Sequence, residues 1–130
     1  MLAGICLLAV SACGGVTSAQ GETESCAQDQ KTAPVTVHLD LSPCPVLAGQ
    51  ASTAIVTLED GSGGTIRNAE VTVHSAMPAM KMTGGSFKAE EKADGYHTNV
   101  ILGMSGPWDL SITVSGAGAP SQTHFTVYAR

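Results

Sequence analysis

The sequence predicts an all-β fold, an immunoglobulin-like β-sandwich of two sheets and about seven strands. Short runs in which apolar and polar residues alternate recur along the chain, as in strands that bury one face. Turn-forming segments separate these runs, and the chain of 130 residues contains 15 Gly and 6 Pro. Helical periodicity is absent throughout. A small β-barrel is the alternative arrangement of the same strands.

The predicted strands follow one another from residue 34 onward, beginning with an alternating run over 35–41. Further alternation covers 54–59, 69–74, 96–102, 108–114 and 124–128, and the more polar run 86–93 is typical of an exposed or edge strand. Asp60-Gly61-Ser62-Gly63-Gly64 and Asp94-Gly95 supply turns. The apolar residues expected to form the core are Val35, Val37, Leu39, Val56, Leu58, Val71, Val73, Tyr96, Val100, Leu102, Trp108, Leu110, Ile112, Val114, Phe125 and Val127.

The N-terminal segment predicts export. The apolar run Met1–Val10 is shorter than the roughly 20 residues that span a bilayer, and it is typical of a signal peptide, here residues 1–12. Val10-Ser11-Ala12-Cys13 resembles a bacterial lipobox, which implies that Cys13 carries lipid. No Lys or Arg precedes the apolar run, so either the true start lies upstream or the signal is weak. The alternative is a hydrophobic N-terminus with an incidental cysteine.

These features predict a lipoprotein in three parts. After the signal peptide, residues 13–33 comprise the lipidated cysteine and a flexible tether, because 14–33 is rich in small and polar residues. Residues 34–130 form the folded domain. The expected location is extracytoplasmic, anchored by lipid to a bacterial membrane and facing the periplasm or the cell exterior.

The cysteines fit this location. Cys6 would be removed with the signal peptide and Cys13 would be lipidated, which leaves Cys26 and Cys44 as one pair. Outside the cytoplasm these two can form a disulfide. With about 17 residues between them, its closure would stabilise the fold by roughly 3 kcal/mol. The alternative is that both are metal thiolates, although the chain has no CxxC motif.

Composition excludes several functions. The net charge is −5 and the isoelectric point is about 5.1, so binding of nucleic acid by a basic face is not expected. No Gly-x-Ser-x-Gly motif marks a nucleophile, and no Gly-rich loop opens a helix to hold phosphate. The adjacent pair Glu90-Glu91 falls in a polar strand and is most simply solvated. The protein is therefore not expected to be an enzyme.

The methionines are confined to two segments that contain glycine or proline. Apart from Met1, the chain has four methionines. Three lie in the segment Met77-Pro78-Ala79-Met80-Lys81-Met82, and the fourth lies in Gly103-Met104-Ser105-Gly106-Pro107-Trp108. Thioethers are soft ligands that suit Cu(I). Met80 and Met82 would point the same way in an extended segment, and a returning strand would bring Met104 to the same end. The sequence thus predicts a copper site formed by Met77, Met80, Met82 and Met104.

Histidine could add an imidazole if Cu(II) is also bound, and His74 and His97 are the candidates. However, His38, His74, His97 and His124 all fall on the register opposite the predicted core, so each is expected to face solvent. The methionines also have a plainer interpretation, in which they cap the open end of the core under Trp108. Met77, beside Pro78, is the one most readily assigned to packing.

Several segments together resemble a known family. They include Leu58-Glu59-Asp60-Gly61, Asn68-Ala69-Glu70-Val71-Thr72-Val73, the methionine segment 77–82, Gly95-Tyr96 and Met104-Ser105-Gly106-Pro107-Trp108-Asp109-Leu110. The chain resembles the YtkA-like domain family and is similar to FixH-type domains over roughly 43–114. The resemblance implies an extracytoplasmic β-sandwich, with some relatives in copper-handling or oxidase-assembly systems. FixH-type proteins keep a transmembrane helix, which a lipid anchor would replace here.

Two functional hypotheses follow. The first is a membrane-tethered module that binds copper through a Met-rich site and delivers it to a copper-handling or oxidase-assembly partner. The second is a metal-free structural or protein-interaction module, in which the apolar methionine loop forms an adhesive patch.

Overall fold

The computed structural model describes residues 26–32, 34–116 and 120–130. Within these ranges the chain forms nine β-strands and one short 3₁₀ helix, which confirms the all-β prediction. The predicted signal peptide and Cys13 lie outside the described residues. The strands are β1 Ala27–Thr32, β2 Val35–Ser42, β3 Ala51–Glu59, β4 Glu70–Met77, β5 Met82–Lys88, β6 Glu90–Lys92, β7 Gly95–Ile101, β8 Gly106–Ser115 and β9 Ser121–Ala129.

The strands form two antiparallel sheets that pack face to face. One sheet has the order β1-β2-β3-β7-β6, and the other has the order β5-β4-β8-β9. All sixteen residues that the alternation assigned to the core are buried between the sheets. The core is confirmed because a strand with period-2 alternation can bury only one set of side chains.

Strand β1 was not foreseen, since residues 27–32 fall within the predicted tether. Ala27–Thr32 pairs along its whole length with β2, from Ala27 opposite Asp40 to Thr32 opposite Val35. Its sequence, Ala-Gln-Asp-Gln-Lys-Thr, has no apolar alternation, and most of its side chains are exposed. The tether prediction is therefore wrong for this segment, because backbone pairing at a sheet edge needs no apolar side chains.

The polar run 86–93 was expected to form one strand, and the structure divides it between the sheets. Strand β5 pairs with β4, whereas β6 pairs with β7 in the opposite sheet. Ala89 lies between them, 9% exposed, and its amide donates a hydrogen bond to the Val71 carbonyl at 2.9 Å. The two extra strands arise from this division and from β1.

A disulfide joins Cys26 to Cys44, with the Cα atoms 6.0 Å apart. The Leu41 amide also donates a hydrogen bond to the Cys26 carbonyl at 2.8 Å. Both contacts hold the start of β1 against the end of β2. Because both sulfurs are in the disulfide, neither is available as a metal thiolate, and this excludes the alternative assignment of the two cysteines.

Tyr96 supports the irregular connection between β3 and β4. Its ring is buried in the core, and its hydroxyl accepts a hydrogen bond from the Ala69 amide and donates one to the Ile66 carbonyl, both at 3.1 Å. One hydroxyl thereby satisfies two backbone groups of the connection.

His38 connects three strands on the outer face of the five-stranded sheet. Its Nδ1 lies 2.5 Å from an oxygen of Asp29 on β1, and its Nε2 lies 3.4 Å from Glu59 Oε1 on β3. The second contact lacks hydrogen-bond geometry. The hydrogen bond with Asp29 is the largest cause of a raised pKa of His38, with Glu59 adding to it and partial burial opposing it.

We expect the Asp29–His38 pair to stabilise the fold only while the imidazole is protonated. Because the folded-state pKa exceeds 6.5, this contribution is complete below pH 6.5 and is lost as pH rises through the folded pKa. The pair is partly exposed, so its contribution is about 0.2–1 kcal/mol. Denaturant unfolding at pH 5.5 and 8.5 should show Asp29→Asn destabilising only at the lower pH. In a His38→Asn background the same substitution should have no pH-dependent effect; a persistent effect would contradict the assignment.

Tyr96→Phe should lower the free energy of unfolding by about 1–2 kcal/mol, because it leaves the Ala69 amide and the Ile66 carbonyl without their partner. Denaturant titration measures the change. Tyr128→Phe is the matched control, since Tyr128 lies on the outer side of β9, and it should leave stability nearly unchanged. Equal effects of the two substitutions would show that the Tyr96 hydroxyl does not stabilise the connection.

Candidate functional site

The two methionine segments meet at one end of the sandwich. Register places the end of β4, the start of β5 and the start of β8 together, because Met77 pairs with Met82 and Ala76 pairs with Asp109. Strand β7 ends at the same place, and four residues connect it to β8. We call this the Met end, and it comprises the connections 43–50, 78–81 and 102–105.

Met77 and Met82 close the hairpin of β4 and β5. Met77 is 3% exposed and belongs to the core. The Cε of Met77 occupies the space that a side chain at Gly106 would need, because a Cβ at that position would come within 2.8 Å of it. The positive φ of 124° at Gly106 also favours glycine. Met82 is half-buried and packs against the core. The structure thus assigns Met77 to packing.

Met80 is 58% exposed, at the end of the 3₁₀ helix Pro78–Met80. The following residue, Lys81, has left-handed backbone geometry, with φ 50°, and its amide donates a hydrogen bond to the Pro78 carbonyl at 3.0 Å. This tight turn reverses the chain into β5. It places the Met80 thioether outside the core.

Met104 is 43% exposed on the connection between β7 and β8. Trp108 fixes this connection, because its buried ring donates a hydrogen bond from Nε1 to the Met104 carbonyl at 2.9 Å. The ring therefore lies beneath the Met104 backbone, whereas the plainer interpretation expected Trp108 to cover methionines that cap the core; for Met104 that interpretation is wrong. A shallow cleft lies between the 3₁₀ helix and strands β8 and β9, and it is lined by Pro78, Ala79, Pro107, Trp108, Asp109 and Thr126.

Neither candidate histidine lies at the Met end. His74 is exposed on the outer face of the four-stranded sheet, where its Nδ1 forms a hydrogen bond with the hydroxyl of Ser86. His97 lies on the other sheet, with Nε2 2.6 Å from Asp94 Oδ1. That hydrogen bond is the largest cause of a lowered pKa of Asp94.

The chemistry of the Met end is that of exposed thioethers held by short connections. Such groups are soft ligands that stay available at any pH, because they need no deprotonation. In the described ranges, no three His, Cys, Asp or Glu side chains form a group that could bind a metal ion. Within the same ranges, no helix has the length and apolar character to cross a bilayer.

Two further apolar residues of this end escaped the sequence analysis. Leu47 is 38% exposed and Ile101 is 51% exposed. With Met80 and Met104 they are the exposed large hydrophobic side chains of the described residues. A local signal exists for Ile101, since it has the opposite parity to the core residues Val100 and Leu102. Leu47 lies in a segment without alternation, so only the fold reveals its exposure.

The fold resembles that of a solved copper protein. A copper-bound variant of FetP from uropathogenic Escherichia coli strain F11 superposes with a TM-score of 0.51 over 81% of this chain and 90% of that chain. The two sequences are 12% identical, so this likeness concerns the fold alone. A search of curated proteins found no match.

A family model supplies the assignment that the fold likeness cannot. The model described as YtkA-like matches residues 29–113. The match includes both methionine segments and all strands from β2 to β7. It also covers well over half of the sequence, and the chain therefore belongs to the YtkA-like family.

Proposed function

We propose that the protein binds Cu(I) at the Met end and presents it to a partner. The observation that carries this proposal is the exposure of two thioethers, Met80 and Met104, on neighbouring connections. Burial of apolar side chains is the general tendency, and Met77 follows it, so two exposed methionines at one end need a reason. Ligation of a soft cation supplies one.

Met80, Met82 and Met104 are the proposed ligands. Met80 and Met104 are the accessible pair, and Met82 lies half-buried at the base of the same hairpin. Bound Cu(I) would be held by neutral thioethers, so the site would keep the charge of the ion. An exposed site of this kind allows the ion to pass to another protein by ligand exchange.

The fold likeness supports copper as the ion. The FetP variant with which this fold superposes was solved in a copper-bound form. That observation belongs to FetP, and it makes copper the first ion to test here. The role of His74 and His97 as imidazole ligands stays a prediction, and the proposal does not depend on it.

Delivery of copper to a partner protein requires a cellular location, and we place the module at a membrane surface. The module would be tethered through Cys13 to a bacterial membrane, outside the cytoplasm, and would serve a copper-handling or oxidase-assembly partner. Its role would be binding and transfer of the ion, without catalysis.

A second candidate function is a metal-free interaction module. The exposure of Leu47 and Ile101 favours it, because neither side chain can bind a metal. Both residues lie at the same end as the exposed methionines, so an apolar contact surface and a copper site can coexist there.

Substitution of the exposed methionines should weaken Cu(I) binding. Met80→Leu combined with Met104→Leu keeps apolar bulk and removes two thioethers. The affinity should fall by at least about tenfold, because even residues that only support a metal ligand typically contribute that much. The measurement is competition with a Cu(I) chelator under anaerobic conditions. The chain should carry Cys6→Ser and Cys13→Ser, since free thiolates would also bind Cu(I).

Met77→Leu in the same background is the matched control. It replaces a buried thioether by a side chain of similar volume, which a core tolerates well. Its Cu(I) affinity should equal that of the parent. An unchanged affinity in the Met80/Met104 double variant would remove these residues from the site.

Cu(I) affinity should be nearly constant from pH 5.5 to 7.5, since thioethers bind no protons in this range. Imidazole ligands would instead compete with protons and lose affinity as pH falls. The same chelator titration at several pH values separates the two cases. A marked loss at low pH, abolished by His74→Gln or His97→Gln, would place a histidine in the site.

A further inference from the structure

We propose that the Met end rests on the surface of the lipid bilayer, with its exposed apolar side chains at the level of the headgroups. The inference depends on the membrane tethering proposed above and is independent of copper binding. It assigns the Met end an orientation and a lipid ligand.

The distribution of exposed apolar side chains is the first observation. In the described part of the chain, the large hydrophobic residues that are exposed are Leu47, Met80, Ile101 and Met104. They come from three separate connections and one strand end, yet all lie at the Met end. Scattered single apolar residues are normal on a protein surface, whereas confinement to one end marks a contact site.

The point where the chain joins the domain is the second observation. Strand β1 begins at the Met end, because Ala27 pairs with Asp40 near the end of β2. The disulfide from Cys26 to Cys44 holds this point to connection 43–50, which also carries Leu47. The 25 residues before Cys26, with the apolar run Met1–Val10, therefore join the domain at the end that carries the exposed apolar residues.

Few residues separate the proposed lipid anchor at Cys13 from the domain, so a weak apolar contact is sufficient to keep the Met end on the membrane. The 13 residues from Cys13 to Cys26 can span at most roughly 45 Å. Such a tether holds the Met end at an effective concentration in the millimolar range beside its attachment point. Four partly exposed side chains can then contact the membrane without having to recruit the protein from solution.

The charge distribution agrees with this orientation. Lys81 lies at the tip of the methionine hairpin, where it can contact anionic headgroups. Asp40, which pairs with Ala27, and Asp109 also lie near this end, and Asp109 Oδ2 is 3.0 Å from His124 Nδ1. Five of the nine acidic residues in the described ranges lie toward the opposite end, where repulsion from an anionic surface is smallest. They are Glu59, Asp60, Glu70, Glu91 and Asp94.

A second copy of the chain is a poorer occupant. Stable protein interfaces bury about 800 Å² on each partner, with a packed apolar centre. The exposed apolar area here comes from four side chains on three connections and one strand end, which suits insertion among headgroups better than a packed interface. The disulfide also holds the attachment point of the proposed lipid tether at this end.

Trp108 provides a direct test, since it is the only tryptophan of the chain and its Nε1 is hydrogen-bonded to the Met104 carbonyl. The full chain is bound to phosphatidylethanolamine–phosphatidylglycerol vesicles whose headgroups carry a nitroxide, with a copper chelator present. Fluorescence of Trp108 should be quenched. Leu47→Asp combined with Ile101→Asp should abolish most of the quenching, although the chain should still sediment with the vesicles.

Ala93→Asp is the matched control, because it adds a carboxylate at the exposed turn between β6 and β7, far from the Met end. It should leave quenching and sedimentation unchanged. The Leu47/Ile101 variant should keep the parental Cu(I) affinity, since it retains every proposed ligand. A cooperative denaturant-unfolding transition shows independently of copper that the variant is folded.

Three results would overturn the inference. Sedimentation without quenching of the parent chain would show a domain held away from the surface, with the tether intact. Failure of the parent chain to sediment with the vesicles would refute the tether and the orientation together. Quenching that persists in the Leu47/Ile101 variant would show that these side chains do not make the contact. None of the three bears on the Cu(I) titration, so the two proposals fail separately.

Discussion

Burial of apolar side chains between the two sheets is the interaction on which the rest of the structure depends. The alternating strands β2, β3, β4, β7, β8 and β9 each contribute one face to this core, so the connections between them lie at one of the two ends or along an edge. The methionine segments are connections, and this alone confines them to the ends. Antiparallel pairing of β4 with β8 then brings both segments to the same end, because the first strand ends where the second begins.

The two ends of the sandwich differ in chemistry. The Met end combines exposed thioethers, two exposed aliphatic side chains and the disulfide that holds the start of β1. The opposite end carries the acidic turns, including Asp60, whose pKa is lowered by hydrogen bonds from Gly64 and Ser62. Binding of a soft ion and contact with lipid both draw on the apolar character of the first end, so the two proposed roles are compatible.

The methionines show how packing sorts residues of one type. Met77 is the last inward-facing residue of β4, so it is drawn into the core and fills the space left by the absent side chain of Gly106. Met80 and Met104 lie on connections whose backbones are held by hydrogen bonds within the Met end, which leaves their side chains outside. The four histidines lie outside the core, as their register predicts, and hydrogen bonds engage their rings along the sheet faces.

The sequence by itself determined the strand faces, the sixteen core residues and the fold class, because alternation is a local consequence of the extended backbone. It also singled out the methionine segments by composition. Tertiary structure decided which methionine is buried, that β1 pairs at the sheet edge and that 86–93 divides between the sheets. It also placed Leu47, Ile101 and the start of β1 at the Met end. Each of these features depends on pairing between segments that are distant in sequence. A polar or irregular segment has no local pattern of apolar residues from which its pairing could be predicted.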